Sequence, residues 1–309
     1  MTREMLCHRL GLVGAGRAGQ ALGRSLAPHC ATPPLFYDLI EAQLERAVAA
    51  VPAAEATREL GRLARTCDLI AIAVSDDAIT AAVAALGSDL PLGNPPFVFH
   101  VSGRSGAGVL DPLHAVGAAV AAIHPVMTFV GDPAIEVKRM HGAPFAVTAP
   151  DDRSRALALK VVKAAGGQAF VVEEAARALY HAALCHAANH LVTLVSGGAS
   201  MLQAAGVERP FDVLGQLVRS AVENTLKGGM QALSGPLLRG DLETIENHLV
   251  AMDRSAPEIL PDYIAMARAT LRALEVAGAG PADVASKLVH LLDAHEPDHM
   301  SAVGSPRRT

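Results

Sequence analysis

The chain is 309 residues long and carries a formal charge of −5 with a pI near 6.2; it is 51% hydrophobic, 18% charged and 3% aromatic, without tryptophan. Such a length allows two domains with sizeable cores, and the acidic balance excludes the basic face that a nucleic-acid binder needs. No apolar run approaches the ~20 residues that cross a bilayer, no signal core precedes the first glycines, and the four cysteines form no CxxC pair, so a soluble cytoplasmic protein with reduced thiols is expected.

The first element is read from "RLGLVGAGRAGQALGRSLA". Leu10 to Val13 have strand character, Gly14, Gly16 and Gly19 supply G-x-G-x-x-G, and Ala21, Leu22, Ser25 and Leu26 then recur at helical spacing. Each glycine has a mechanical reason: a tight turn at Gly14, close backbone approach to a pyrophosphate at Gly16, and tight packing at Gly19. The amides from Ala15 to Ala18 open the helix toward that phosphate, with Arg17 beside it. Asp38 follows about 20 residues on, where an acidic side chain accepts hydrogen bonds from a ribose 2′-hydroxyl and repels a 2′-phosphate, a lean toward NAD over NADP. Its alternative role is to cap the helix of "EAQLERAVAA".

Alternation continues along the chain. "CDLIAIAVSDDAI" reads as a strand covered on both faces that ends in polar Ser75, Asp76 and Asp77. "PPFVFHVSGRSG" is another, ending at His100, Ser102 and Gly103, and "AVGAAVAAIHP" a third, ending at His124. "GAPFAVTAP" and "GGQAFVVEE" add two more strands around the helix "DDRSRALALKVVKAAGG". The pattern predicts an α/β, doubly wound, mostly parallel sheet of about eight strands through residue 172, with ligands beyond the carboxyl ends of the strands.

From Glu173 the character changes to an all-α domain over 173–295, with the tail 296–309 expected to be disordered. "EEAARALYHAALCHAANHLVTLVSGGASMLQAAG" is read as mostly one long helix, largely buried, with a polar and small stripe of His181, Cys185, Asn189, Thr193 and Gly197. Further helices are expected over roughly 209–233, 241–252, 256–276 and 280–294, with Asp241 capping one of them. Burial of the long helix between two copies makes a homodimer the expected assembly. His186 and His190 share a helix face but lack a third ligand, so no metal is expected.

The segments "GLVGAGRAGQALGRSL", "DLIAIAVSDDAI", "FHVSGRSGAGVL", "AIHPVMTF", "YHAALCHAANHLV" and "ALSGPLLRGD" together resemble bacterial proteins assigned as oxidoreductases. These join a Rossmann-like domain to a C-terminal helical domain of unknown function (2520 type), within the 6-phosphogluconate dehydrogenase-like superfamily. The resemblance implies an NAD(P)-dependent enzyme that moves a hydride between nicotinamide and a small carbonyl, imine or hydroxy compound in a cleft between the two domains. It also implies a catalytic lysine four residues before Asn189, and that position is Cys185. "HPVM" is similar to the His-Pro-Met segment of prephenate dehydrogenases, with Val126 interrupting it.

Hydride transfer needs a group to exchange a proton with the substrate, and His124 is the first candidate, with an ordinary pKa near 6.5. Ser102 is placed either to bond the carboxamide or substrate oxygen or to cap the turn at Gly103. His181 is a second proton donor, Tyr180 a weaker one, and Asn189 the polar residue kept from the superfamily pattern. Val74, Ser75 and Asp76 are expected along the cofactor ribose. Two other readings stand beside this one: a nicotinamide-nucleotide sensor or scaffold without turnover, and a dehydrogenase of the prephenate type.

Overall fold

The computed structural model describes residues 5–91, 93–280 and 283–296. The chain divides into two compact units, Met1–Cys185 and His186–Thr309.

The first unit is built on eight strands: β1 (Leu10–Val13), β2 (Leu35–Tyr37), β3 (Glu55–Thr57), β4 (Leu69–Ile72), β5 (Phe97–His100), β6 (Val120–Pro125), β7 (Pro144–Thr148) and β8 (Gln168–Val171). They lie in the order β3-β2-β1-β4-β5-β6-β7-β8. All neighbours are parallel except β6 and β7, which run antiparallel with His124 opposite Ala146. Helices α1 (Arg17–Leu26), α2 (Glu41–Ala50), α3 (Leu60–Thr66), α4 (Ile79–Gly87), α5 (Asp111–His114), α6 (Pro133–Met140) and α7 (Asp152–Ala164) connect them. Alternate residues of each buried strand feed opposite faces. Leu10, Leu12, Phe97, Phe99 and Ile123 pack on one side with α1 and α7, while Val13, Ile70, Ile72, Val98 and Val120 pack on the other with α3 and α4. A sheet wound on both faces is the result. β3 has no counterpart in the sequence pattern; its three residues, Glu-Ala-Thr at the sheet edge, carry too little apolar character to announce a strand. The turn expected after His124 comes one residue later, since Pro125 still pairs with Phe145.

Past β8, α8 (Arg177–Leu184) completes the first unit, and a π-helical turn over Cys185–Asn189 leads into α9 (His190–Ala204). The single long helix expected here is thus interrupted. The regular four-residue spacing expected for the stripe of His181, Cys185, Asn189, Thr193 and Gly197 is broken by this wider turn. Within one chain the buried residues of α8 and α9 are Arg177 and Ala199.

The second unit continues with α10 (Pro210–Gly228), α11 (Pro236–Arg239), α12 (Leu242–Ser255), α13 (Leu260–Val276) and α14 (Ala285–Ala294). Its core is Ile245, Leu249 and Met252 of α12 against Leu260, Ile264 and Leu271 of α13 and Leu288 and Leu292 of α14. Asp241 caps α12, accepting from the Thr244 amide at 3.1 Å and the Thr244 hydroxyl at 2.7 Å. α13 starts later than residue 256 because its first turn takes Pro261, whose missing N–H costs nothing there. Of the expected disordered tail, residues 297–309 lie outside the described residues; Glu296 itself receives both terminal nitrogens of Arg268, at 2.8 and 2.7 Å.

Candidate functional site

The order β3-β2-β1-β4 puts the reversal of strand order at β1 and β4, where loops leave the sheet in opposite directions and open a crevice. Gly14 stands there at φ +105°, and a Cβ on it would meet the Ala73 carbonyl oxygen at 2.5 Å. A Cβ on Gly19 would meet the Gly14 carbonyl oxygen at 2.1 Å, so both positions exclude any side chain. Gly16 is different: a Cβ there would meet nothing within 4 Å. It caps α1 with no side chain bonded to the free amides and no acidic residue in the first turn, and exposed Arg17 follows. An uncapped helix start with open approach and an adjacent cation is a fitting cradle for a pyrophosphate.

Asp38 reaches into this turn. Its carboxylate accepts the Ala15 amide at 2.7 Å and the Ile40 amide at 2.9 Å, pinning the glycine turn to the end of β2. It does not cap α2, whose first turn has Ile40 at the cap position. After β4, Val74 packs into the core and would lie 3.1 Å from a Cβ on Gly14, while Ser75 is exposed. Asp76 and Asp77 face Arg104 at 3.6 and 3.3 Å, which ties the turn after β4 to the loop after β5.

That second loop is organised around a buried histidine. His100 Nδ1 accepts the Ser102 amide at 3.2 Å, so the ring proton sits on Nε2 and is donated to the Gly106 carbonyl at 2.8 Å. Burial, reinforced against the Gly106 bond by the Arg177 charge, pushes the His100 pKa down to about 4. Ser102 is buried, and its hydroxyl accepts the Ser105 amide at 3.1 Å, the turn-capping role. Glu174, just past β8, accepts the amides of Ala107 at 2.8 Å and Gly108 at 3.4 Å. A Cβ on Gly106 would lie 2.2 Å from that carboxylate.

Gly103 then brings the strand-end residues together. A Cβ on it would lie 2.9 Å from His124 Nε2 and 2.9 Å from His181 Cδ2, so both rings rest against this bare backbone. His124 Nδ1 is 2.7 Å from the Tyr180 hydroxyl, the two rings meeting edge to face at 5.8 Å. Burial, then the charge of Arg177 and the neighbouring His181, lowers His124 to about 4. The expectation of an imidazole titrating near neutrality is corrected by this: the His124 ring is neutral at pH 7. Burial raises the Tyr180 pKa, with Arg177 opposing. His181 also approaches Cys185, its ring nitrogens 3.7 and 3.9 Å from Sγ. Asn189 lies in the second unit, exposed on the π turn. His186 and His190 are exposed there too, 3.1 Å apart through their Nδ1 atoms.

The residue that sequence reasoning missed is Arg177. Its side chain is 2% exposed and makes no ion pair among the described residues. Nε donates to Thr148 Oγ1 at 2.7 Å, and Nη2 to the carbonyls of Ala122 and Ala146 at 3.3 and 3.2 Å. Nη1 is buried with no partner among the described residues, and the guanidinium carbon stands 5.7 Å from the Tyr180 ring centre. Burial pulls its pKa below the ordinary value.

This arrangement defines an α/β fold of the Rossmann-like class. Residues 4–125 match the Rossmann-like domain and residues 143–270 match the family described as a domain of unknown function, DUF2520. The two matches follow one another along the chain. A candidate NADP oxidoreductase from Bacteroides fragilis is similar in structure, with a TM-score of 0.71 and 19% identity, over 86% of this chain and 98% of that one. A reductive aminase from Aspergillus terreus, in complex with NADPH4, cyclohexanone and allyl amine, matches with a TM-score of 0.63 and 18% identity over 94% and 99% of the two chains. Pyrroline carboxylate reductase from Plasmodium falciparum, with NADP bound, matches with a TM-score of 0.55 and 14% identity over 93% and 99%. At these identities the likeness establishes the fold. No curated protein sequence matches the chain.

Proposed function

We propose that the protein is an NAD(P)-dependent oxidoreductase that moves a hydride between nicotinamide and a small carbonyl, imine or hydroxy compound. One observation carries this reading. The sheet unit holds an open, uncapped glycine turn after β1 and, three strand spacings (about 14 Å) along the same carboxyl-terminal edge, a histidine–tyrosine pair over a bare glycine backbone. When bound, the dinucleotide supplies or accepts the hydride. The free amides of α1 and Arg17 hold its phosphates. Asp38 spends one lone pair of each oxygen on an amide and keeps others for a ribose hydroxyl. Its charge, followed by exposed Leu39 and Ile40 rather than a cation, supports NAD as the preferred partner.

His124 works as a neutral donor. In this role the Tyr180 hydroxyl is the donor to Nδ1, the tautomer that puts the imidazole proton on Nε2, the atom beside Gly103. In reduction, Nε2 hands its proton to the substrate oxygen while Nδ1 takes one from Tyr180, whose phenolate is then reprotonated by water; oxidation reverses each transfer. Arg177, a buried cation without a carboxylate pair among the described residues, favours negative charge developing on that oxygen. The same charge opposes a cationic iminium, so a carbonyl–alcohol pair is the favoured substrate class. Ser102 and His100 keep the Gly103 backbone in place.

The free state of all four cysteines supports a cytoplasmic setting. A homodimer is supported by the second unit, where α9 and α10 leave Val192, Phe211, Val213, Leu217 and Leu226 exposed.

The test is a panel of aldehydes, ketones and 2-oxo acids with NADH or NADPH, followed by loss of reduced-nicotinamide absorbance, on the wild type and His124→Gln. Turnover is expected, falling about 100-fold in the variant with NADH affinity within about twofold. Binding without oxidation across the panel would replace this reading by the sensor, and equal losses in turnover and affinity would make His124 structural.

A further inference from the structure

At the opposite, amino-terminal end of β1 two thiols lie in contact. Cys7 Sγ is 3.3 Å from Cys30 Sγ, and the two residues face each other across a parallel β-bridge. The backbone fixes this register on both sides: the Leu6 amide donates to His29 at 2.8 Å, Ala31 to Cys7 at 3.1 Å and Thr32 to His8 at 2.9 Å. Bridged strands stand about 4.8 Å apart, inside the Cα separation of roughly 4.4–6.8 Å that a disulfide spans. Both side chains are half-buried, so a small reagent reaches them without unfolding. Neither takes part in the nucleotide site proposed above.

We propose that Cys7 and Cys30 form a reversible intrachain disulfide by exchange with a low-molecular-weight disulfide. Cys30 is the attacking sulfur: the Cys7 thiol donates to it, holding its pKa below the ordinary thiol value, while the same contact and burial push Cys7 up. The Cys30 thiolate attacks one sulfur of the small disulfide, forming a mixed disulfide and expelling one small thiolate. Cys7 then loses its proton to solvent and attacks Cys30 Sγ, closing the protein disulfide and expelling the second small thiolate. Two protein thiols are oxidised, one small disulfide is reduced to two thiols, and each expelled thiolate picks up a proton. Cys67, almost fully buried with its thiol pushed up to about 11 by burial, is a poor competitor. The bond would bracket β1, the glycine turn and α1 in one covalent ring.

The experiment equilibrates the full chain in buffers of rising oxidised-to-reduced glutathione ratio, blocks the remaining thiols by alkylation, and maps the peptides. Two of the four thiols are expected to become protected, in a Cys7–Cys30 peptide of a monomeric chain on non-reducing electrophoresis. The melting temperature should rise by about 5–10 °C and return with dithiothreitol. Cys7→Ser should stop at a glutathione adduct on Cys30, and Cys30→Ser should react with neither. Four alkylated thiols at every ratio, a linkage through Cys67 or Cys185, or a disulfide between chains would overturn the proposal, and the map on wild type decides it even where a variant fails to fold.

Discussion

Acidifying the protein from pH 7 to pH 5 should weaken the sheet unit by charging two imidazoles that the fold keeps neutral. His100 and His124 are each held at about 4, against an ordinary 6.5, chiefly by burial. Because the folded values are lowered, the unfolded chain binds more protons between those limits. Stability is therefore complete above 6.5 and drains away as the pH falls toward 4. Each ring contributes about 2 kcal/mol of loss between pH 7 and 5, and the two together about 4 kcal/mol. Carboxylates do not share this window. Glu55, Asp151 and Asp241 are held below the usual carboxylate range by hydrogen bonds from Arg9, Ser154 and Thr244, and lose their contributions only at more acid pH. Urea unfolding followed by circular dichroism at pH 7, 6 and 5 measures the slope. His100→Gln and His124→Gln should each remove about half of it, whatever their effect on stability at pH 7. Superimposable curves from pH 7 to 5, or a slope unchanged in the double variant, would refute the reasoning.

Tyr180→Phe strips His124 Nδ1 of its 2.7 Å partner and should lower turnover about 10- to 100-fold, at a cost of about 1 kcal/mol in unfolding free energy. An equal fall in NADH affinity would make the hydroxyl a structural anchor. Asp38→Ser should move the kcat/KM ratio toward NADPH by about tenfold or more; an unmoved ratio would confine Asp38 to holding Ala15. Light scattering should give twice the chain mass of 31.9 kDa, and Leu217→Glu with Leu226→Glu should halve it, while a wild-type monomer at micromolar concentration would contradict the dimer.

The parts of this molecule that obey short-range rules are legible in its residues. Gly14, Gly16 and Gly19 declare a turn because their spacing is complete within six residues, although the Ala73 carbonyl that also bars a side chain at Gly14 is distant in sequence. The buried strands show as apolar runs closed by Ser75, Ser102 and His124. Arg177 cannot be read that way. Its partners Thr148 and Ala122 lie 29 and 55 residues away, and only the antiparallel return of β7 beside β6 makes their acceptors converge. The lowered pKa of His124 comes first from its burial and then from the Arg177 charge, both made by contacts distant in sequence, which is why the residues alone point to an ordinary value. β3 is too short and polar to signal itself, and the π turn obeys no residue pattern that spacing rules detect. Tyr180 ranks low in the sequence because its tie to His124 exists only after the sheet has closed.

Two turns in this protein have glycine-relieved backbones and open helical segments, yet they treat anions in opposite ways. At Ala107 and Gly108 the chain satisfies its own amides with Glu174, a tethered counter-ion that never has to be captured. At Gly16 no side chain caps α1 among the described residues, and Asp38 takes only the Ala15 amide beside it. A solute bearing phosphate thus meets a permanent rival at one cradle and none on the α1 amides of the other, and the reach of each turn's carboxylate decides which amides stay open to it.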